Sequence, residues 1–265
     1  MKNHNKILIV SGLDATGGAG IIADIQVATN LGVHSCAIVS TQTVQDTNKV
    51  HKIITVDDKL FSKQLETLNQ DINITHLKIG MIGSIKIIQI IDKFIQNKTD
   101  KNLKIICDPV LFSGGNNKLI QSPAIIKAYL KYIVPHTYLL TPNQQELQQL
   151  TGENNEKNAI KKLQNIGCKN ILITGGDEPN TKIISNKLYT EDKIKIWQNK
   201  KLTGKFHGTG CTLATAITCF LKKNNELIDS TQKALNYTQT TIKNAYQIAK
   251  SPSQFIPDRL QKNCR

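Results

Sequence analysis

Arginine is nearly absent from this chain. Its 265 residues carry 34 basic side chains against 20 acidic ones, a formal charge of +14, yet only Arg259 and Arg265 are arginine. Such an excess first raises nucleic acid or an anionic membrane as partners. Base edges and phosphates are read best by a planar guanidinium, which donates two parallel hydrogen bonds. A charge made of lysine, in a chain also rich in Ile and Asn, points instead to a compositional bias. Aromatic residues, the platforms on which unpaired bases stack, are only 5%. The lysines are dispersed, so a basic nucleic-acid-binding protein remains a distant alternative.

Long apolar runs are missing as well. No stretch approaches the roughly 18 apolar residues of a membrane-crossing helix. The start, Met-Lys-Asn-His-Asn-Lys, leads straight into Ile7–Val10, too short a run for a secretory core. The six cysteines, Cys36, Cys107, Cys168, Cys211, Cys219 and Cys264, form no Cys-x-x-Cys pair. That spacing excludes a disulfide framework and a structural zinc site, and it fits buried thiols in a reducing cytoplasm. Neither a Walker A loop nor a Gly-x-Gly-x-x-Gly fingerprint is present, which weighs against a nicotinamide oxidoreductase.

What is present is alternation. Short β-branched runs at Lys6–Ser11, Ser35–Thr43, Val50–Val56, Leu77–Met81, Leu103–Cys107, Tyr138–Thr141 and Asn170–Thr174 read as strands. Between them lie helical patterns at Gly20–Leu31, Lys59–Asn69 capped by Asp57 or Asp58, Ile85–Ile95 after Ser84, Pro123–Ile133, and from about Gln144 and Asn155. Ile183–Tyr189 and Lys193–Trp197 read as a hairpin, and long helices as Thr209–Lys222 and Leu227–Lys250. Repeated strand–helix units predict a three-layer α/β/α fold, a mainly parallel sheet with helices on both faces. No linker, repeat or low-complexity block interrupts it, so residues 1–265 read as one domain. Ligands are expected at the carboxyl ends of the strands.

Four constellations carry chemistry. Gly12-Leu-Asp-Ala-Thr-Gly-Gly-Ala-Gly20 joins the first strand to the first helix, where glycine lets backbone approach a ligand. Asp24 is polar on the apolar helix that follows; the plain alternative is a solvated face. Gly208-Thr209-Gly210 precedes an apolar helix and offers backbone N–H groups to an anion without any basic side chain. Cys211 sits in that first turn, where the helix field is expected to lower a thiol pKa. Asn143 and Glu146 share one face of a helical turn and suit a hydrated Mg²⁺, or else form a capping box. Asp108 ends a buried strand and is placed to face a metal–nucleotide, or else makes an Asx turn before Pro109.

Taken together these segments resemble the hydroxymethylpyrimidine/phosphomethylpyrimidine kinases of thiamine biosynthesis, members of the ribokinase-like superfamily. The resemblance runs from about Ile7 to Ala249. It rests on S-G-L-D-A-T-G-G-A-G-I-I-A-D from Ser11, V-Q-D-T from Val44, K-I-G-M from Lys78, D-P-V from Asp108, T-P-N-Q-Q-E from Thr141 and H-G-T-G-C-T from His207. It implies ATP-dependent phosphorylation of 4-amino-5-hydroxymethyl-2-methylpyrimidine and then of its monophosphate, with Mg²⁺, by a cytoplasmic homodimer. It places Gly12, Gln45, Asp24, Met81 and Val110 around the pyrimidine. Gly208, Thr209 and Gly210 become the anion hole, and Asp108, Asn143 and Glu146 the Mg²⁺–phosphate side. Cys211 becomes a base or an orienting group.

Three departures stand out. Ile173-Thr-Gly-Gly176 has Thr174 where the family often has Lys, which leaves either Lys182 or Lys205 to meet the nucleotide or a weaker affinity for ATP. Ser113-Gly-Gly-Asn116 and Gly12-Leu-Asp-Ala also differ from the usual pattern. A pyridoxine or pyridoxal kinase on the same fold is the nearest alternative, because its substrate is also a hydroxymethylated nitrogen heterocycle.

Overall fold

The computed structural model describes residues 4–98, 102–111, 122–176, 181–223, 225–250 and 253–260. Nine strands form one sheet: β1 (Lys6–Leu13), β2 (His34–Gln45), β3 (Val50–Thr55), β4 (His76–Ile79), β5 (Lys104–Cys107), β6 (Leu139–Leu140), β7 (Asn170–Ile173), β8 (Ile183–Tyr189) and β9 (Ile194–Lys200). Their spatial order is β3-β2-β1-β4-β5-β6-β7-β8-β9. The six from β2 to β7 are parallel, β3 lies antiparallel on one edge, and the β8–β9 hairpin closes the other. The α/β expectation and the hairpin both hold.

Among the described residues eight α-helices cover the two faces. α1 (Gly20–Asn30), α7 (Thr209–Lys222) and α8 (Leu227–Lys243) pack on one side, over Ile7, Ile9, Ile106 and Leu172. On the other side α2 (Asp58–Asp71), α3 (Ile85–Gln96), α4 (Pro123–Ala128), α5 (Gln144–Thr151) and α6 (Glu156–Asn165) cover Leu8, Val10, Ile79 and Ile105. Alternate residues of the central strands thus point into two separate cores, which is why those strands are apolar on both faces. None of the described helices is long and apolar enough to cross a membrane.

Local chemistry explains some element ends. Asp57 caps α2 by accepting from Leu60 N at 2.8 Å, as expected. Ser84 precedes α3 without a side-chain cap bond. Two expected helices are cut short. The Pro123–Ile133 pattern becomes α4 followed by a π-helical turn at Tyr129–Ile133, then a tight turn through Pro135. The wide turn places the fully buried Tyr129 hydroxyl on Gly80 O (3.3 Å), where it also accepts from Ile82 N (3.2 Å). α8 stops at Lys243 instead of Lys250, because Tyr246 exchanges backbone hydrogen bonds with Ile256. A distant segment there replaces the helical partners.

α7 is buried almost all round although it carries four threonines within Thr209–Thr218. Two of the hydroxyls are satisfied locally: Thr212 and Thr218 donate to carbonyls one turn back, Gly208 O and Ala214 O, both at 2.8 Å. Thr215 donates to Asp24 Oδ1 at 2.7 Å.

Candidate active site

A cleft of about 560 Å³ opens at the carboxyl ends of β1, β4, β5, β6 and β7. Its size suits a small-molecule site. The two glycine segments meet there. Gly20 has φ +60°, and a Cβ on it would lie 2.2 Å from Gly12 O. Gly208 has φ +76°, and a Cβ would lie 2.1 Å from Gly18 O. Only glycine fits where these two loops touch.

Gly208 occupies the position before the first turn of α7, and no side chain caps that turn. Its carbonyl already accepts from Thr212 N at 3.0 Å. The N–H groups of Thr209, Gly210 and Cys211 have no earlier turn to bond to, so they and the helix dipole attract an anion. All four residues line the cleft, as do Gly12, Gln45, Met81, Val110, Asp108, Asn143, Glu146, Thr174 and Lys205.

Asp24 is the exception. It is wholly buried behind the cleft wall, where Lys78 Nζ reaches its two oxygens at 3.0 and 2.8 Å. The solvated-face alternative fails equally, since both side chains are 0% exposed. Burial alone would lower the Lys78 ammonium, but the charge of Asp24, joined by that of Asp108 and by the hydrogen bond to Asp24, outweighs it and holds the ammonium above its ordinary value. Nothing placed a lysine partner for Asp24 in the sequence reading, because 54 residues separate them.

Cys211 requires a second correction. Burial pushes its thiol up to about 12, against the helix field that was expected to lower it. Desolvation wins because the group is shut away from water. The residue is a neutral thiol at physiological pH. Beside it, burial raises the Asp108 carboxyl to about 6, with Lys78 pulling it down and Asp24 pushing it up. Asp108 Oδ2 is buried and has no hydrogen-bond partner among the described residues.

Asn143 and Glu146 form the capping box of α5. Asn143 Oδ1 accepts from Glu146 N at 2.8 Å, and Glu146 Oε2 accepts from Asn143 N at 3.0 Å. Glu146 Oε1 also accepts from Leu111 N at 3.1 Å. Among the described residues no three His, Cys, Asp or Glu side chains gather as a metal cage. Magnesium needs only one or two carboxylates, water and phosphate oxygens. The orphaned Asp108 oxygen fits that demand; the two Glu146 oxygens and the Asn143 amide oxygen already accept backbone N–H groups, and of these only the Glu146 carboxylate also offers a negative charge to a hydrated ion.

The reading from sequence missed a polar cluster on the opposite wall. His207 Nε2 lies 2.7 Å from Asp14 Oδ2, and Asp14 also accepts from Thr16 N, Thr16 Oγ1 and Ala19 N. Burial would raise the Asp14 carboxyl, but His207 and the Thr16 hydrogen bonds hold it below its usual value. Gln45 Nε2 sits 2.9 Å from the same His207 nitrogen. The Gln45 amide oxygen lies 3.1 Å from Thr43 Oγ1, and that hydroxyl donates to Leu13 O at 2.9 Å. Both residues lay inside quoted motifs, but nothing in one sequence joins position 14 to position 207. Lys201 also lines the cleft beside Lys205, while Lys182 does not. The Ser113–Asn116 segment lies outside the described residues.

Comparison with known proteins decides the family. The model for phosphomethylpyrimidine kinase matches residues 14–255. The chain belongs to the phosphomethylpyrimidine kinase family. It is therefore a phosphotransferase of thiamine biosynthesis. It is 31% identical to the hydroxymethylpyrimidine/phosphomethylpyrimidine kinase of Haemophilus influenzae, over 91% of this chain and 92% of that one. Among solved structures, the Bacillus subtilis pyridoxal kinase in its ADP complex superposes with a TM-score of 0.84 at 25% identity, covering 97% of this chain and 99% of the other. The phosphomethylpyrimidine kinase of Clostridium difficile gives 0.77 at 27%, covering 91% and 100%. These neighbours make the fold ribokinase-like, as the motifs implied.

Proposed function

We propose that the protein transfers the γ-phosphoryl group of ATP to the hydroxymethyl oxygen of 4-amino-5-hydroxymethyl-2-methylpyrimidine, and then phosphorylates the monophosphate to the diphosphate. One observation carries the reading: the uncapped N-terminus of α7 opens into the same cleft as the Gln45 amide and the apolar wall of Met81 and Val110. An amide offers both donor and acceptor to an aminopyrimidine edge, and the thioether of Met81 suits its ring and methyl group. The ADP complex of the Bacillus subtilis relative supports a nucleotide as ligand. Thr174, Lys205 and Lys201 line the nucleotide side, so charge for the phosphates comes from the two lysines instead of a lysine at position 174.

Magnesium, when bound, neutralises phosphate charge. Asp108 and Glu146 would hold it, largely through water. Gly208, Thr209 and Gly210 stabilise charge on the transferring group with donors already in place. Cys211, as a neutral thiol beside Asp108, orients the substrate hydroxyl. Phosphoryl transfer relies mainly on positioning and electrostatics, so no strong base is required.

The second reading is a pyridoxal kinase activity in the same cleft. It is favoured by the higher TM-score to the pyridoxal kinase, 0.84 against 0.77. ADP release measured with the pyrimidine, its monophosphate and pyridoxal, each with and without Mg²⁺, separates the two. The proposal expects the highest kcat/KM with the pyrimidine and no turnover after chelation; a strong preference for pyridoxal overturns it.

A single domain, a homodimer and a cytoplasmic location complete the proposal. The continuous nine-stranded sheet supports the first. Exposed Ile183, Ile194 and Ile196 on the edge hairpin support the second, as a surface for another copy. The unbridged Cys36, Cys107, Cys168, Cys211 and Cys219 support the third.

A further inference from the structure

The anion hole does have a basic side chain behind it, and it comes from the far end of the chain. Residues 253–260 strap across the loop that leads into α7. Phe255 N donates to Lys205 O at 2.8 Å and His207 N donates to Phe255 O at 2.9 Å. The strap then turns Arg259 inward, to 2% exposure. Each of its three nitrogens has a hydrogen-bond partner. Nε donates to Thr212 Oγ1 at 2.8 Å and Nη1 to Gln26 Oε1 at 3.3 Å. Nη2 donates to Gly18 O at 2.6 Å, and to His207 O and Gly208 O, each at 3.4 Å. Tyr237 Oη donates to the carbonyl of Arg259 itself at 2.9 Å and anchors the strap.

Two aspects of this arrangement need explanation. Among the described residues no carboxylate hydrogen-bonds to the buried guanidinium, and the charge of Asp24 reaches it only through space. The charge also lies against the N-terminal end of a helix, where the dipole disfavours a cation. A buried cation next to a positive helix end is balanced if an anion sits on the other side of the loop. The geometry favours that. In a trans peptide the C=O and N–H point in opposite directions. Drawing the His207 and Gly208 carbonyls toward Arg259 turns the N–H groups of Gly208 and Thr209 away from it.

Resting on the kinase reading above, we infer that Arg259 is a positioning residue for phosphoryl transfer: it locks Gly18 against Gly208, aims the N–H groups of the anion hole and adds fixed positive charge behind them. It does not touch the substrate.

The test compares Arg259→Gln and Arg259→Lys with the parent enzyme, reading kcat, KM for both substrates and Tm. Removing one donor from an oxyanion hole costs about 100-fold or more, so loss of the group that aims such donors is expected to lower kcat by roughly 10-fold or more in Arg259→Gln. KM for the hydroxymethyl substrate stays within about threefold, as expected for a contact that matters in the transition state. Arg259→Lys restores part of kcat. A purely structural role would lower Tm in both variants and leave kcat of the folded fraction unchanged, and that result overturns the inference. So does an Arg259→Lys enzyme as slow as Arg259→Gln. If neither variant folds, Tyr237→Phe loosens the strap without touching the cleft; a lower kcat supports the inference and a parental kcat overturns it. The parent is assayed first with the pyrimidine and with pyridoxal. Preference for pyridoxal defeats the substrate reading alone, and the Arg259 comparison then runs on pyridoxal.

Discussion

Asp24 and Lys78 show what a buried charge does at the scale of one residue. Each is useless as a substrate contact, yet together they form the polar floor beneath Cys211 and Asp108. Breaking a buried pair leaves an uncompensated charge and typically costs about 3–5 kcal/mol. Lys78→Met alone is therefore expected to destabilise by about that much in chemical denaturation. The double variant Lys78→Met, Asp24→Leu should lose clearly less, since no lone charge remains; equal losses would refute the pairing argument. Cys211 supplies a second residue-level prediction. With its thiol near 12, alkylation by iodoacetamide at pH 7 should be far slower than for a free thiol, whose usual pKa is about 8.5. Cys211→Ser, which keeps a hydrogen-bonding group, should retain kcat within roughly tenfold; a loss of several orders of magnitude would restore a thiolate mechanism. Cysteine in a first helical turn was legible in the sequence. Its environment was not, because burial depends on which strands close over it.

At the scale of elements, helices and strands were read well where the pattern is local. α7 begins and ends where glycine and apolar periodicity place it, at Thr209 and Lys222. Boundaries failed where a distant segment competes for the same backbone groups, as at Lys243 and Tyr129. β4 carries an element-level prediction. Its first residue, His76, is held neutral: burial, then the charges of Lys222 and Lys104, lowers its pKa from 6.5 to about 4. Between those values the unfolded chain binds more protons than the folded one, so stability rises with pH. The contribution is present above about pH 6.5 and is lost progressively as pH falls toward 4. The parent should therefore lose more stability than His76→Phe between pH 7 and pH 5, by up to about 1 kcal/mol per pH unit. Parallel Tm curves for the two proteins across that range would contradict this.

At the scale of the molecule, the +14 charge is dispersed over the surface while the anion hole is backbone. Non-specific duplex binding should then be weak and strongly salt-dependent, with no sub-micromolar complex at about 150 mM salt in a fluorescence titration. A tight, salt-resistant complex would require a built nucleic-acid surface that the described residues do not display.

The amino-acid sequence by itself determined the alternation of strands and helices, the two glycine loops and the family, because each depends on residue identity at short spacing. Tertiary structure alone decided which polar groups share a space. It moved Asp24 from the cleft to Lys78, made Cys211 a neutral thiol, and gave the Asn143 amide to a helix cap. It also brought Asp14 to His207, and Arg259 to Gly18 and Gly208. Those outcomes depend on desolvation and on contacts between residues tens to hundreds of positions apart, and no local pattern encodes either.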